Sequence, residues 1–139
     1  MIMSTPSKDI SFIIDGILFE YDEEKNRINI QKHGLSFETA ARVFFDYDRL
    51  ELYDEIHSTD EDRYNTLGDL NAGGMVIGSA PGSGTEIIFV VYTERQRHMT
   101  NGKESDVIRL ISARVANSFE RLTIKSQAQN EDTYELEKL

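Results

Sequence analysis

The sequence predicts an α+β fold: an antiparallel sheet of about four to five strands, two helices near the N-terminus and one at the C-terminus. Three observations predict it. Short β-prone runs open the chain, two capped helical segments follow, and most of the remaining strand signals come in one uninterrupted series. Strands grouped in a run, rather than alternating with helices, are joined by hairpins and give an antiparallel sheet.

The elements follow in order. Residues 10–14 and 17–21 are apolar runs around Asp15-Gly16, a dipeptide suited to a tight hairpin turn. Asp22 stands where an N-cap belongs, Glu23 and Glu24 suit the positive end of a helix dipole, and Gly34 suits a left-handed C-terminal stop. A helix over 23–32 is expected. Ser36 caps a second helix over 37–45, with Phe37, Ala40, Ala41, Val43 and Phe44 as its apolar face. Strands are expected over 50–53, 64–67, 87–93 and 107–113. The Gly/Ser-rich stretch 73–84 and the polar stretch 96–106 read as loops, and neither carries a phosphate-binding glycine fingerprint. Asn117 or Ser118 caps a last helix to about residue 128. One domain over 10–128 is expected, with residues 1–9 and 129–139 as loose termini.

Composition narrows the function. The chain has no cysteine, so disulfides and thiolate metal sites are excluded. No apolar run approaches the roughly 20 residues of a membrane helix, and the first residues lack a signal-peptide layout. A cytoplasmic protein without membrane contact is expected. The net charge of −10 argues against a uniformly basic nucleic-acid surface. The charge is unevenly spread, however. Residues 46–62 are strongly acidic, whereas Lys25, Arg27, Lys32, Arg95, Arg97, Arg109, Arg114, Arg121 and Lys125 lie elsewhere. A basic site on an acidic body is therefore open, as is an acidic face for a basic partner. The acid-rich run 54–62 lacks the central glycine and closing glutamate of a calcium loop and reads as solvated, with no metal expected.

Four blocks are more specific than composition. The first is Phe19-Glu20-Tyr21-Asp22 with Lys25, Asn29 and Lys32-His33-Gly34-Leu35-Ser36-Phe37. The second is Arg63-Tyr64 through Gly68, and the third Val91-Tyr92-Thr93-Glu94-Arg95. The fourth is Ile108-Arg109-Leu110-Ile111-Ser112-Ala113-Arg114 with Ala116 and Glu120-Arg121. In this order they resemble the BrnT family of toxins over about residues 19–121. The resemblance implies a RelE-like fold and a ribonuclease that acts without metal or other cofactor. It also implies a BrnA-like antitoxin as partner, with DNA contacted only through that antitoxin in an autorepressing complex. A second reading, which the acidic balance supports, is a non-catalytic interaction module that keeps the fold and binds a ribbon–helix–helix partner.

Metal-free RNA cleavage needs a base for the 2′-hydroxyl, cations for the phosphorane and an acid for the leaving oxygen. Lys25, Asn29, Lys32 and His33 share one face of the first helix. Of these only His33 titrates near neutral pH unaided. Arg109 is the expected phosphate-facing cation, with Lys25 and Lys32 beside it, His33 for proton transfer and Arg114 as a further catalytic residue. Arg95, Asn29 and Tyr92 are expected to bind RNA. Each has a structural reading as well. His33 suits a helix C-terminus, Asn29 suits a backbone contact, Tyr64 and Tyr92 suit a core, and the two lysines suit a solvated face. Arg109 suits an ion pair with Glu20 or Asp22, and Arg114 a link to Glu120. His57 and His98 read as solvated. Strict alternation places Arg109 and Arg114 on opposite faces of their strand, so a site using both requires a local irregularity.

Overall fold

The computed structural model describes residues 7–71 and 86–126. Among the described residues, six strands form one mixed sheet in the order β1-β2-β6-β5-β4-β3. They are β1 (Asp9–Ile14), β2 (Ile17–Asp22), β3 (Leu50–Tyr53), β4 (Arg63–Asp69), β5 (Ile87–His98) and β6 (Glu104–Val115). Helix α1 (Glu23–His33) follows the first hairpin, and α2 (Phe37–Ala40) follows α1. Residues 118–126 form a C-terminal helix, α3. The expected α+β class stands, but the sheet has six strands and is not all antiparallel. After β2 the chain crosses to the far edge and winds back through β3, β4 and β5, so β6 returns beside β2 and runs parallel to it. That pairing is short, Phe19↔Ile108, Glu20↔Arg109 and Tyr21↔Leu110. No local signal announces it, because the two strands lie almost ninety residues apart in the chain.

The local signals act as expected. Asp15 and Gly16 both take positive φ, 47° and 82°, which matches the twist of a two-residue hairpin. The Asp22 carboxylate accepts from the Glu24 and Lys25 amides, and Gly34 closes α1 at φ 67°. Helix α1 has almost no apolar stripe, and Asn29 is its one buried residue. It docks through that side chain instead. Asn29 donates to the carbonyls of Leu35 at 2.8 Å and Ala113 at 2.7 Å, and accepts from the Ala113 amide at 3.2 Å. The second helix is shorter than expected: one α-turn, then a 3-10 stretch Ala41–Phe45. Residues 96–106, expected as a loop, instead extend β5 and β6 into a ribbon, paired as far as His98↔Glu104. The Gly/Ser stretch 73–84 and the tail 129–139 lie outside the described residues. Residues 7–9 are tied down, with the Glu23 amide donating to the Lys8 carbonyl at 2.9 Å and Ser7 bonded to Asp22.

The core lies between the sheet and the helices. Phe19 and Tyr21 from β2, Ile88, Val90 and Tyr92 from β5, and Leu110 and Ala113 from β6 pack there with Phe37, Ala40, Val43 and Phe44. Gly68 lets the 3-10 stretch approach β4. A Cβ at Gly68 would stand 2.3 Å from Val43 Cγ2. Gly68→Ala is therefore expected to cost about 1–3 kcal/mol by overpacking. Chemical denaturation should show the loss, and Val43→Ala in the same chain should restore part of it.

Candidate functional site

The sheet has a second face that carries charge. Along β5, Ile88, Val90 and Tyr92 enter the core, so Phe89, Val91, Thr93, Arg95 and Arg97 turn to the opposite, open face. On β2, Glu20 lies between core residues Phe19 and Tyr21 and points the same way. On β6 the register slips: Tyr92 pairs with Leu110 but Val91 with Ser112, so Ile111 is an extra residue. This bulge resets the alternation. Arg109 pairs with Thr93 and Arg114 with Phe89, and both face the open side. The expected opposition of Arg109 and Arg114 is thereby removed. Arg63, paired with Thr93 on β4, joins them.

Four of the five open-face arginines are held by carboxylates. Arg95 forms two hydrogen bonds with Glu61, at 3.0 and 2.8 Å. Arg114 does the same with Glu120, at 2.7 and 2.9 Å, and lies 4.4 Å over the Phe89 ring. Glu20, buried, accepts from Arg97 at 3.0 and 2.6 Å and from Arg109 at 3.1 Å, and Arg109 reaches Asp9 at 3.1 Å. Burial pushes the Glu20 pKa up, but hydrogen bonds and charge from Arg97 and Arg109 outweigh it and leave the carboxyl below its ordinary value. Arg63 makes no salt bridge among the described residues.

The expected site residues do not all meet. Lys25, Lys32 and His33 are exposed on α1, which packs on the core side, so the sheet separates them from Arg109. Asn29 spends its amide on backbone groups and is 6 % exposed. Tyr92 is 3 % exposed, meets Phe44 edge to face and stacks on Tyr64 in the core. Arg95, Arg109 and Arg114 do share one face. For Arg109 and Arg114 the structural readings, pairs with Glu20 and Glu120, are realised.

A cavity of about 430 Å³ opens on this face. Phe89, Val91 and Ile111 floor it, with Ile111 supplied by the bulge, and Arg63, Asp54 and His57 stand at its rim. The rim is a closed loop. The Asp54 amide donates to the Arg63 carbonyl at 2.9 Å, the Arg63 amide donates to Ser58 Oγ at 2.8 Å, and Ser58 Oγ donates to the Asp54 carbonyl at 2.5 Å. The Asp54 carboxylate accepts from the His57 backbone amide at 3.3 Å and lies 2.8 Å from His57 Nδ1. Burial raises the Asp54 pKa, but the hydrogen bonds and charge of His57 bring the net value below the ordinary one. His57, expected as merely solvated, is therefore oriented. The available signal was the Asp-x-x-His spacing in a turn just ahead of Arg63, hidden among acidic neighbours. A larger cavity, about 770 Å³, lies between the first turn and the β5–β6 ribbon. Glu94, Glu104 and Asp106 line it with one arginine, Arg95, so its charge is mainly acidic. Among the described residues no cluster of three or more His, Cys, Asp or Glu side chains is arranged to hold a metal ion, and no helix is long and apolar enough to cross a membrane.

These features define a small α+β protein whose sheet packs helices on one face and presents arginines and a histidine-rimmed cavity on the other. The chain belongs to the BrnT family: the model of the ribonuclease toxin BrnT, of type II toxin–antitoxin systems, matches residues 21–120. Membership of a type II system implies an antitoxin partner. Comparison with curated proteins gives no match.

Proposed function

We propose that the protein cuts RNA on the open face of its sheet, without a metal, in the cytoplasm, and that a BrnA-like antitoxin neutralises it and brings the complex to DNA. One observation carries this reading. Arg63, Arg95, Arg97, Arg109 and Arg114 converge on one face of a chain whose net charge is −10. Guanidinium groups can hold the negative charge of a phosphorane. Within the set the roles divide. Arg63 makes no salt bridge among the described residues and is the direct phosphate contact. Arg95 and Arg114, about a third exposed, supply further positive charge at the edges. Arg109 is 14 % exposed and holds Glu20 and Asp9, so its role is to keep the face in shape. The acid-lined cavity beside the β5–β6 ribbon suits a basic antitoxin segment, and complex formation should slow as salt rises.

The test is expression in a bacterial host without a partner, followed by incubation of purified protein with RNA in a metal chelator. Growth arrest, and RNA fragments formed in the chelator, are expected. Arg95, Arg97, Arg109 and Arg114 are already ion-paired, which favours a second reading, a non-catalytic partner-binding module. Intact RNA together with salt-dependent antitoxin binding would select it.

A further inference from the structure

We propose that His57, held by Asp54, is the proton-transfer residue of this site, acting on RNA whose base lies on Phe89, Val91 and Ile111 and whose phosphate is gripped by Arg63. The inference rests on the RNA-cleavage reading and adds to it a catalytic residue on the opposite side of the sheet from His33. Three features of the cavity carry it. The first is orientation. Asp54 engages Nδ1 at 2.8 Å, which puts the proton on that nitrogen and leaves the Nε2 lone pair facing outward. The His57 side chain is 66 % exposed while that of Asp54 is 12 % exposed, so the imidazole reaches solvent and its carboxylate support does not. The second is composition. An apolar floor and a cationic rim suit a nucleotide, whose base stacks on apolar surface and whose phosphate seeks arginine. The third is an unmet polar group. Asn65 lines the cavity, and its buried Oδ1 accepts no hydrogen bond among the described residues, which leaves an acceptor that a small side-chain turn offers to the amino group of a base.

The chemistry balances without a co-reactant. His57 Nε2 takes the proton of the ribose 2′-hydroxyl as the 2′-oxygen bonds to the adjacent phosphorus. The bond from phosphorus to the 5′-oxygen breaks, and that oxygen takes a proton from water. The hydroxide left behind removes the proton from His57. The products are a 2′,3′-cyclic phosphate and a free 5′-hydroxyl. Arg63 stabilises the charge that builds on the phosphate oxygens, and Asp54 is a positioning residue that acts through His57.

The test measures cleavage of a defined RNA oligonucleotide by the full chain and its variants, with folding checked by thermal unfolding. His57→Ala should lower kcat by roughly 10²–10⁴-fold while KM stays within about threefold, and added imidazole should restore part of the loss. Asp54→Asn should lower kcat with KM unchanged. Product ends should be cyclic phosphates. If His57→Ala folds poorly, His57→Gln provides the same comparison. A folded His57 variant that cuts within threefold of the wild-type rate overturns the assignment of His57 and leaves the RNA-cleavage reading intact. A wild-type chain that does not cut RNA overturns both.

Discussion

Glu20→Ala is expected to destabilise the fold by about 3–5 kcal/mol, the range for removing one partner of a buried ion pair. Glu20 is 4 % exposed and answers two arginines at once, one of which, Arg109, is itself largely buried. Without the carboxylate, Arg109 keeps only Asp9, whose side chain is half exposed and screened by solvent. Arg109→Ala should also destabilise, because it leaves Glu20 with Arg97 alone, on the more exposed side. Urea denaturation of both single variants and the double variant measures the coupling. A double variant no worse than Glu20→Ala is the expected pattern. The same group sets a pH dependence. The folded-state pKa of Glu20 lies below its ordinary value of 4.5. Its contribution is therefore complete above the unfolded-state value and is lost as pH falls through the folded one. Wild type should lose stability on acidification below about pH 4.5 more steeply than Glu20→Gln does.

Asn29→Ala is expected to cost about 3 kcal/mol. It leaves two buried carbonyls and one amide without partners, each worth about 1 kcal/mol or more. The loss should appear first at the α1–β6 junction, because no apolar stripe on α1 compensates. Hydrogen exchange should speed up along α1 before it does in β4 and β5. Asn29→Asp is the sharper variant. It retains an acceptor for the Ala113 amide but sets a carboxylate against two carbonyl oxygens. Burial and those oxygens raise the pKa of the new carboxyl in the folded state. The variant should therefore gain stability relative to wild type as pH falls, the reverse of the Glu20 effect.

Much of the fold was legible because its signals are local. Asp15-Gly16, Asp22, Gly34 and Ser36 act through their own backbone neighbours, so the hairpin and all three caps appear where the residues stand. The strands of the meander were legible from their β-branched and aromatic runs. What was not legible depends on distant partners. The parallel β2–β6 pair joins residues far apart in sequence, and its three-residue length leaves no periodic mark. The bulge at Ile111 sits in Leu110-Ile111-Ser112, with no glycine to announce it, yet it alone brings Arg114 to the face of Arg109. The ribbon over 96–106 is polar because it projects past the helices, and polarity read as loop. The candidate site suffered most. Lys25, Lys32 and His33 share a helix face with Asn29 by spacing, but only the docked fold shows that this helix lies across the sheet from the arginines. His57 needed the loop closed by Ser58 and Arg63 before its pairing with Asp54 had meaning.

RNA is expected to meet the open face of the sheet and not the helix side. Amide shift mapping with a short 2′-O-methyl RNA, which binds but lacks the hydroxyl needed for cleavage, tests it most directly. The largest changes are expected at residues 54–65, 89–97 and 109–114, and Arg63→Ala should weaken them about tenfold or more in titration. Changes confined to α1 around Lys25, Lys32 and His33, with the open face unmoved, would contradict it.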